Sequence, residues 1–134
     1  LDVHVTVMFG YPWESPEDIA KTVKLARELL IRGIAYTLQV TLVIPYPGTP
    51  LFRELEEKGD LLTHNWDDFD MRMNVMKGSV GEDEIKAAIR SVYRGFIHPL
   101  GIWNRLRRTR HLGDDLKFYC RGLLSLTGHL RDFK

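Results

Sequence analysis

The sequence predicts an α/β fold: two parallel strands joined by a crossover helix and followed by a C-terminal helical segment. Three observations predict it. Two runs with apolar alternation, residues 3–9 and 35–44, are separated by a stretch far too long for a hairpin. Each run ends at a corner bearing glycine and proline, the turn signals. Each corner leads into a self-capping helix start, Ser15-Pro16 and then Thr49-Pro50. The resulting order of strand, helix, strand, helix is one βαβ unit with a following helix, so the strands run parallel through a right-handed crossover.

In the first strand Val3, Val5, Val7 and Phe9 share one face, and His4, Thr6 and Met8 share the other. The strand ends at Gly10-Tyr11-Pro12. Ser15 is the expected N-cap of the next helix, Pro16 fills the first position, where its missing N–H costs nothing, and Asp18 can reach back to the cap amide. Glu17 and Asp18 suit the positive end of the helix dipole. Ile19, Val23, Ala26 and Leu30, widened by Leu29, form the buried stripe, and Gly33 stops the helix. The second strand spans 35–44, with Tyr36, Leu38, Val40, Leu42 and Ile44 alternating with Thr37, Gln39, Thr41 and Val43, and Pro45 ends it. Thr49 caps a helix to about Lys58, closed by Gly59.

Residues 60–82 read as an irregular segment anchored by Trp66, Phe69, Met71, Met73, Val75 and Met76. Glu82-Asp83-Glu84 precede a helix carrying Ile85, Ala88, Ile89, Val92 and Phe96, which His98-Pro99 breaks. A short basic helix around Ile102–Arg110 follows, then a last helix from about Asp114 with Leu116, Cys120, Leu123, Leu124 and Thr127. The expected division is a βα portion, residues 1–82, and a basic helical tail, residues 83–134, packed on it.

A length of 134 residues fits one domain with a real core. No apolar run is long enough to span a membrane, and the N-terminus lacks the basic and small-residue features of a signal peptide. The chain has no initiator Met and enters directly into a strand, so truncation is expected. One cysteine, Cys120, permits neither an intrachain disulfide nor a CxxC metal motif, and a cytoplasmic location is expected. The net charge of +1 hides a split: residues 1–84 carry 8 Lys/Arg against 15 Asp/Glu, residues 85–134 carry 11 against 3. The halves can attract each other, or the basic half can meet an anionic partner.

Three segments, MFGYPWESPEDIAKTVKLARELL, LVIPYPGTPLF and WDDFDMRMNVMKG, carry a family resemblance. Together they resemble the later barrel strands of radical S-adenosylmethionine (radical SAM) enzymes. More narrowly they resemble the subclass with a cobalamin-binding domain, among them anaerobic magnesium-protoporphyrin IX monomethyl ester cyclase-like Fe–S oxidoreductases. The resemblance runs from about Val3 to Phe96. It implies the last βα units of a partial (β/α) barrel, in a parent using S-adenosylmethionine, a 4Fe-4S cluster and, in this subclass, cobalamin. It also implies that Met8, Phe9 and Gly10 lay their backbone against the adenine, with Glu14 at the acidic position of the same motif. A glycine there lets a flat ring approach the main chain, and aromatic or Met side chains bracket it. Trp13 stands where the commoner family form has glycine. The three cluster cysteines are absent, so the fragment is expected to be inactive alone and to bind none of these groups by itself, and the cluster loop is expected upstream, in other domains of the parent.

Gln39 and Thr41 on the second strand, and Tyr46 at its carboxyl end, are candidates to line a cavity for a small-molecule substrate; a solvent-facing role in an incomplete sheet is the other reading. His4, His64, His98, His111 and His129 are scattered without a paired ligand spacing, and Asp67, Asp68 and Asp70 lack the spacing of a calcium loop, so a solvated loop with Trp66 and Phe69 packed inward is expected. Arg105, Arg107, Arg108 and Arg110, interleaved with Ile102, Trp103 and Leu106, form a basic amphipathic stretch. As a solvated face it pairs with the acidic half; as a docking face it suits protein or a peripheral membrane surface, and nucleic acid is not expected. This gives the second reading of function: a non-catalytic α/β interaction module whose basic tail docks on an anionic partner. Two parallel strands also leave open edges, so the isolated piece is expected to dimerise or to cover an edge with its tail.

Overall fold

A computed structural model of the protein describes residues 3–71, 73–107, 113, 117, 120 and 121. Strand β1 (Val3–Phe9) leads through a tight corner into helix α1 (Pro16–Ile31), then strand β2 (Ala35–Leu42) and helix α2 (Pro50–Lys58). A 3-10 turn at Trp66–Asp68 interrupts the next segment, and helices α3 (Glu82–Phe96) and α4 (Pro99–Leu106) follow. The predicted last helix lies mostly outside the described residues.

β1 and β2 pair in parallel, with Val7 beside Val40 and Phe9 beside Leu42. Alternation then gives the sheet two faces of opposite character. Val7, Phe9, Val40 and Leu42 pack into one core with Ile19, Ala26 and Leu30 of α1 and with Ile85, Ala88, Ile89 and Val92 of α3. The opposite face pairs His4 with Thr37, Thr6 with Gln39 and Met8 with Thr41, and none of the six is buried. Here His4 Nδ1 and Thr37 Oγ1 lie 2.7 Å apart. The helices cover the apolar face alone.

The helix starts are built as the sequence predicts. The backbone N–H of Asp18 donates to Ser15 Oγ at 3.2 Å, and Asp18 accepts from the Ser15 hydroxyl at 2.6 Å and from its amide. Thr49 caps α2 through the Phe52 N–H, and Gly59 closes it with φ 68°, a left-handed backbone that glycine adopts without strain. β2 leaves the ladder at Leu42, two residues before the predicted end, because Val43 and Ile44 are drawn into separate clusters. Ile44 packs with Phe52, Phe69 and Val75, and Val43 with Leu55 and Met76. Glu82, Asp83 and Glu84 form the first turn of α3 instead of preceding it, and α4 begins at Pro99, three residues before the predicted start.

Three expected anchors are corrected. Trp66 is 58% exposed, Met71 39% and Met73 41%, whereas Phe69, Val75 and Met76 are buried. Trp66 lies over the Phe52 and Phe69 rings without entering the core. Residues 61 and 76 make an antiparallel bridge, and the Leu62 N–H to Val75 carbonyl bond closes the segment. Only the inner side of that closure finds apolar neighbours.

Arg105 is also corrected. Instead of joining a basic surface it is 3% exposed. Its Nη1 donates to the Leu30 carbonyl at 3.1 Å, its Nη2 donates to the Phe96 carbonyl, and its guanidinium sits 4.7 Å from the Phe96 ring centroid. Asn104 Nδ2 donates to the Ile31 carbonyl at 2.8 Å. A helix leaves lone pairs on its last carbonyls available to side-chain donors, and a cation there also meets the negative end of each dipole. α4 is therefore a staple across two helix ends. Gly101 makes its approach possible: a Cβ there would stand 3.1 Å from the Leu30 carbonyl oxygen.

Arg105→Ala should lower stability by about 3 kcal/mol, since it removes both guanidinium–carbonyl bonds and opens a void. Arg107→Ala, at an exposed position, should stay within about 0.5 kcal/mol; urea denaturation of both variants checks the contrast. Ser15's hydrogen bonds, foremost, and then Lys21 hold the Asp18 carboxyl below its usual 3.8. The stabilisation from this lowered value is present above pH 3.8 and is lost as pH falls through the folded-state value. Asp18→Asn should therefore lose less helical signal than the parent during acid titration followed by circular dichroism.

Candidate functional site

Because the strands are parallel neighbours, the corners that follow them open at the same end of the sheet. The Val43 N–H donates to the Phe9 carbonyl at 2.9 Å, continuing the pairing to the strand exits. In parallel α/β sheets this end, where helix N-termini converge, is where ligands bind.

The first corner is held by a buried carboxylate. Glu14 is 8% exposed, and its Oε2 accepts from the Gly10 N–H at 2.8 Å. The Glu14 N–H donates to the Tyr11 carbonyl at 3.0 Å, closing a β-turn between them. Gly10 has φ 93°, a backbone that a side chain makes costly. The sequence assigned Glu14 to cofactor contact by resemblance; the structure shows its carboxylate committed to its own turn, where it shapes the backbone that a ligand would meet.

The other residues expected at the adenine edge divide by exposure. Phe9 is fully buried, so its ring belongs to the core and only its main chain lies at the strand exit. Met8 is 43% exposed on the polar face of the sheet. Tyr11 Oη approaches Met8 Sδ at 3.9 Å, and the Tyr11 and Trp13 rings lie 5.2 Å apart. Met8, Tyr11 and Trp13 thus make a continuous polarizable edge, with Trp13 69% exposed at its end. The grouping of Tyr11 and Trp13 with Met8 was missed in the sequence, although the spacing Gly-Tyr-Pro-Trp-Glu was the signal that could have given it.

The second corner carries Tyr46, which is exposed. Its carbonyl accepts from the Thr49 hydroxyl at 2.6 Å and the Thr49 N–H at 3.1 Å, while Gly48 turns the chain at φ 85°. Gln39 is exposed and Thr41 half-buried, both on the face that the helices leave open. Gln39, Thr41 and Met8 therefore share one surface, and Tyr46 stands beyond its edge.

A third segment ties the two corners together. Met76, 1% exposed, packs against Val43 and Leu55 with Tyr11 beside it. The chain then passes under the first corner, where Ser79 Oγ donates to the Pro12 carbonyl at 3.4 Å. Packing from outside both corners fixes the Tyr11 ring. Among the described residues no cluster of His, Cys, Asp or Glu could hold a metal ion, and Cys120 is exposed.

These features define the strand-exit edge of a parallel α/β protein, with one exposed aromatic corner and one exposed polar sheet face. Comparison with known proteins gives a further finding. The chain is 32% identical over 119 residues to an uncharacterized methyltransferase of Pyrococcus horikoshii. The match covers 87% of this chain and 25% of that protein, so the chain spans about a quarter of the relative's length. No family model and no solved structure matches the chain.

Glu14→Ala should cost about 2 kcal/mol by leaving the Gly10 N–H without its carboxylate partner. Amide hydrogen exchange at Gly10 should quicken in the variant, and unchanged protection there would show that the corner does not need Glu14.

Proposed function

We propose that the chain is the C-terminal βα portion of a radical S-adenosylmethionine enzyme, in which it supplies the adenine edge of the cofactor site and one wall of the substrate cavity. The observation that carries this reading is the Met8–Tyr11–Trp13 edge, exposed at Met8 and Trp13 with half-buried Tyr11 between them, at the exit of two adjacent parallel strands. A flat nucleobase suits such an edge: the Gly10 corner exposes main chain without a Cβ, and rings and a thioether supply polarizable contact. The relative's description as a methyltransferase supports a parent that uses S-adenosylmethionine.

In this reading the residues of this chain bind and orient; they do not carry out the chemistry. S-adenosylmethionine, when bound, supplies either a methyl group or a 5′-deoxyadenosyl radical. Met8, Tyr11 and Trp13 hold the adenine, Glu14 keeps the corner in shape through Gly10, and Gln39, Thr41 and Tyr46 offer hydrogen-bonding groups to a small-molecule substrate. A lone cysteine cannot ligate a 4Fe-4S cluster, so the cluster belongs to upstream domains of the parent. No residue of this chain is assigned to cobalamin, and the cobalamin-associated, cyclase-like subclass rests on the sequence resemblance alone. The reading as an interaction module with a basic tail gains nothing from Arg105, which lies inside the fold. No helix among the described residues is long and apolar enough to cross a membrane.

The test is the nucleoside product. The full-length parent, reduced under anaerobic conditions and given S-adenosylmethionine, should yield 5′-deoxyadenosine. S-adenosylhomocysteine as sole product would replace the radical reading with polar methyl transfer, and neither product would refute both. Tyr11→Ala or Trp13→Ala should raise the KM for S-adenosylmethionine roughly tenfold, the scale of losing a base-stacking ring.

A further inference from the structure

A polar cleft lies beside the first corner, and we propose that it binds a free α-amino acid with a flat or apolar side chain. The cleft, about 410 Å³, falls within the size range of small-ligand sites. Three stretches of chain converge on it: Pro12 and Trp13 from the corner, Glu54 and Lys58 from α2, and Asp60 and Lys77 from the segment that follows. Its charged residues lie outside the strand-exit site, and the proposal does not depend on S-adenosylmethionine binding there.

The charges come as two pairs held on ordered backbone. Glu54 and Lys58 stand one turn apart on α2, with Lys58 Nζ 2.6 Å from Glu54 Oε1. Lys77 Nζ donates to the Gly59 carbonyl at 3.0 Å and lies 3.6 Å from Asp60 Oδ1. The Lys77 N–H donates to the Asp60 carbonyl at 2.8 Å, which holds these two positions side by side. Both lysine side chains are 59% exposed, and an ammonium has three donors, enough to take a further acceptor. Pairs this exposed contribute little to stability, so a ligand can exchange them at small cost.

The balance of charge selects the ligand. A simple anion entering the cleft would face Glu54 and Asp60, and a simple cation would face Lys58 and Lys77. A ligand carrying both signs avoids either repulsion, since its carboxylate accepts from the lysines while its ammonium donates to the acids. Trp13, 69% exposed, supplies an apolar wall together with Pro12. An indole ring favours a flat or apolar partner and also attracts a cation over its face. An α-amino acid joins the carboxylate, the ammonium and such a side chain on one carbon.

The test uses the full-length parent without S-adenosylmethionine, so its outcome is separate from that of the cofactor reading. L-Tryptophan, indolepropionate and tryptamine share one ring; the first carries both charges, the second only the carboxylate and the third only the ammonium. Saturation-transfer NMR titrations should show L-tryptophan binding roughly tenfold more tightly than either of the others. Trp13 also borders the Met8–Tyr11 edge, so the charged residues, not the ring, distinguish the cleft. Lys58→Gln and Asp60→Asn should each weaken L-tryptophan binding roughly threefold, and Trp13→Ala roughly tenfold. All three alter side chains outside the core, and circular dichroism should show the fold intact. Equal binding of the three compounds would overturn the proposal, as would undiminished L-tryptophan binding in either charge variant. No saturation transfer to L-tryptophan in the parent would overturn it too.

Discussion

Everything at the candidate site depends on β1 and β2 pairing in parallel. With Phe9 beside Leu42 and the Val43 N–H bonded to the Phe9 carbonyl, both corners leave the sheet together. In an antiparallel pair the same corners would stand a strand's length apart, about 25 Å, and no ligand of nucleoside size would meet both. Parallel pairing in turn requires a crossover, which α1 supplies. The corner chemistry therefore follows from helix formation at Ser15–Asp18 as much as from the strands.

The register also sorts the side chains. One face is wholly apolar and receives α1 and α3; the other pairs His4, Thr6 and Met8 with Thr37, Gln39 and Thr41. A one-residue slip would exchange these sets and bury polar groups under the helices, so the register is strongly specified. The face left open is thus available to a ligand because the apolar face is already spent on the core.

Glu14 and Arg105 are the two buried charged residues among those described, and they do not pair with each other. Each serves backbone groups: Glu14 accepts from an N–H just before α1, and Arg105 donates to the carbonyls ending α1 and α3. The signs suit the helix dipole at both ends, a carboxylate near the N-terminus and a cation at the C-terminus. α1, the crossover on which the site depends, is fixed at its two extremities.

Local chemistry was sufficient for much of this. The sequence by itself determined β1, the capping box of α1, the bounds of α2 and the buried stripe of α3, because alternation, helical period and Pro or Gly stops act over a few residues. It also placed Gly10 and Pro45 at the corners. Only tertiary structure decided which side chains those corners expose. Glu14 read as a motif carboxylate at the cofactor edge and Arg105 as part of a basic surface until a backbone N–H and two helix ends, distant in sequence for Arg105, supplied their partners. Trp66, Met71 and Met73 read as anchors until the core filled with Phe69, Val75 and Met76 instead. Trp13 stands exposed beside Tyr11, which is half-buried against the cluster that contains Met76. Periodicity records which residues can be buried; whether neighbours from elsewhere in the chain bury them is a property of the assembled fold.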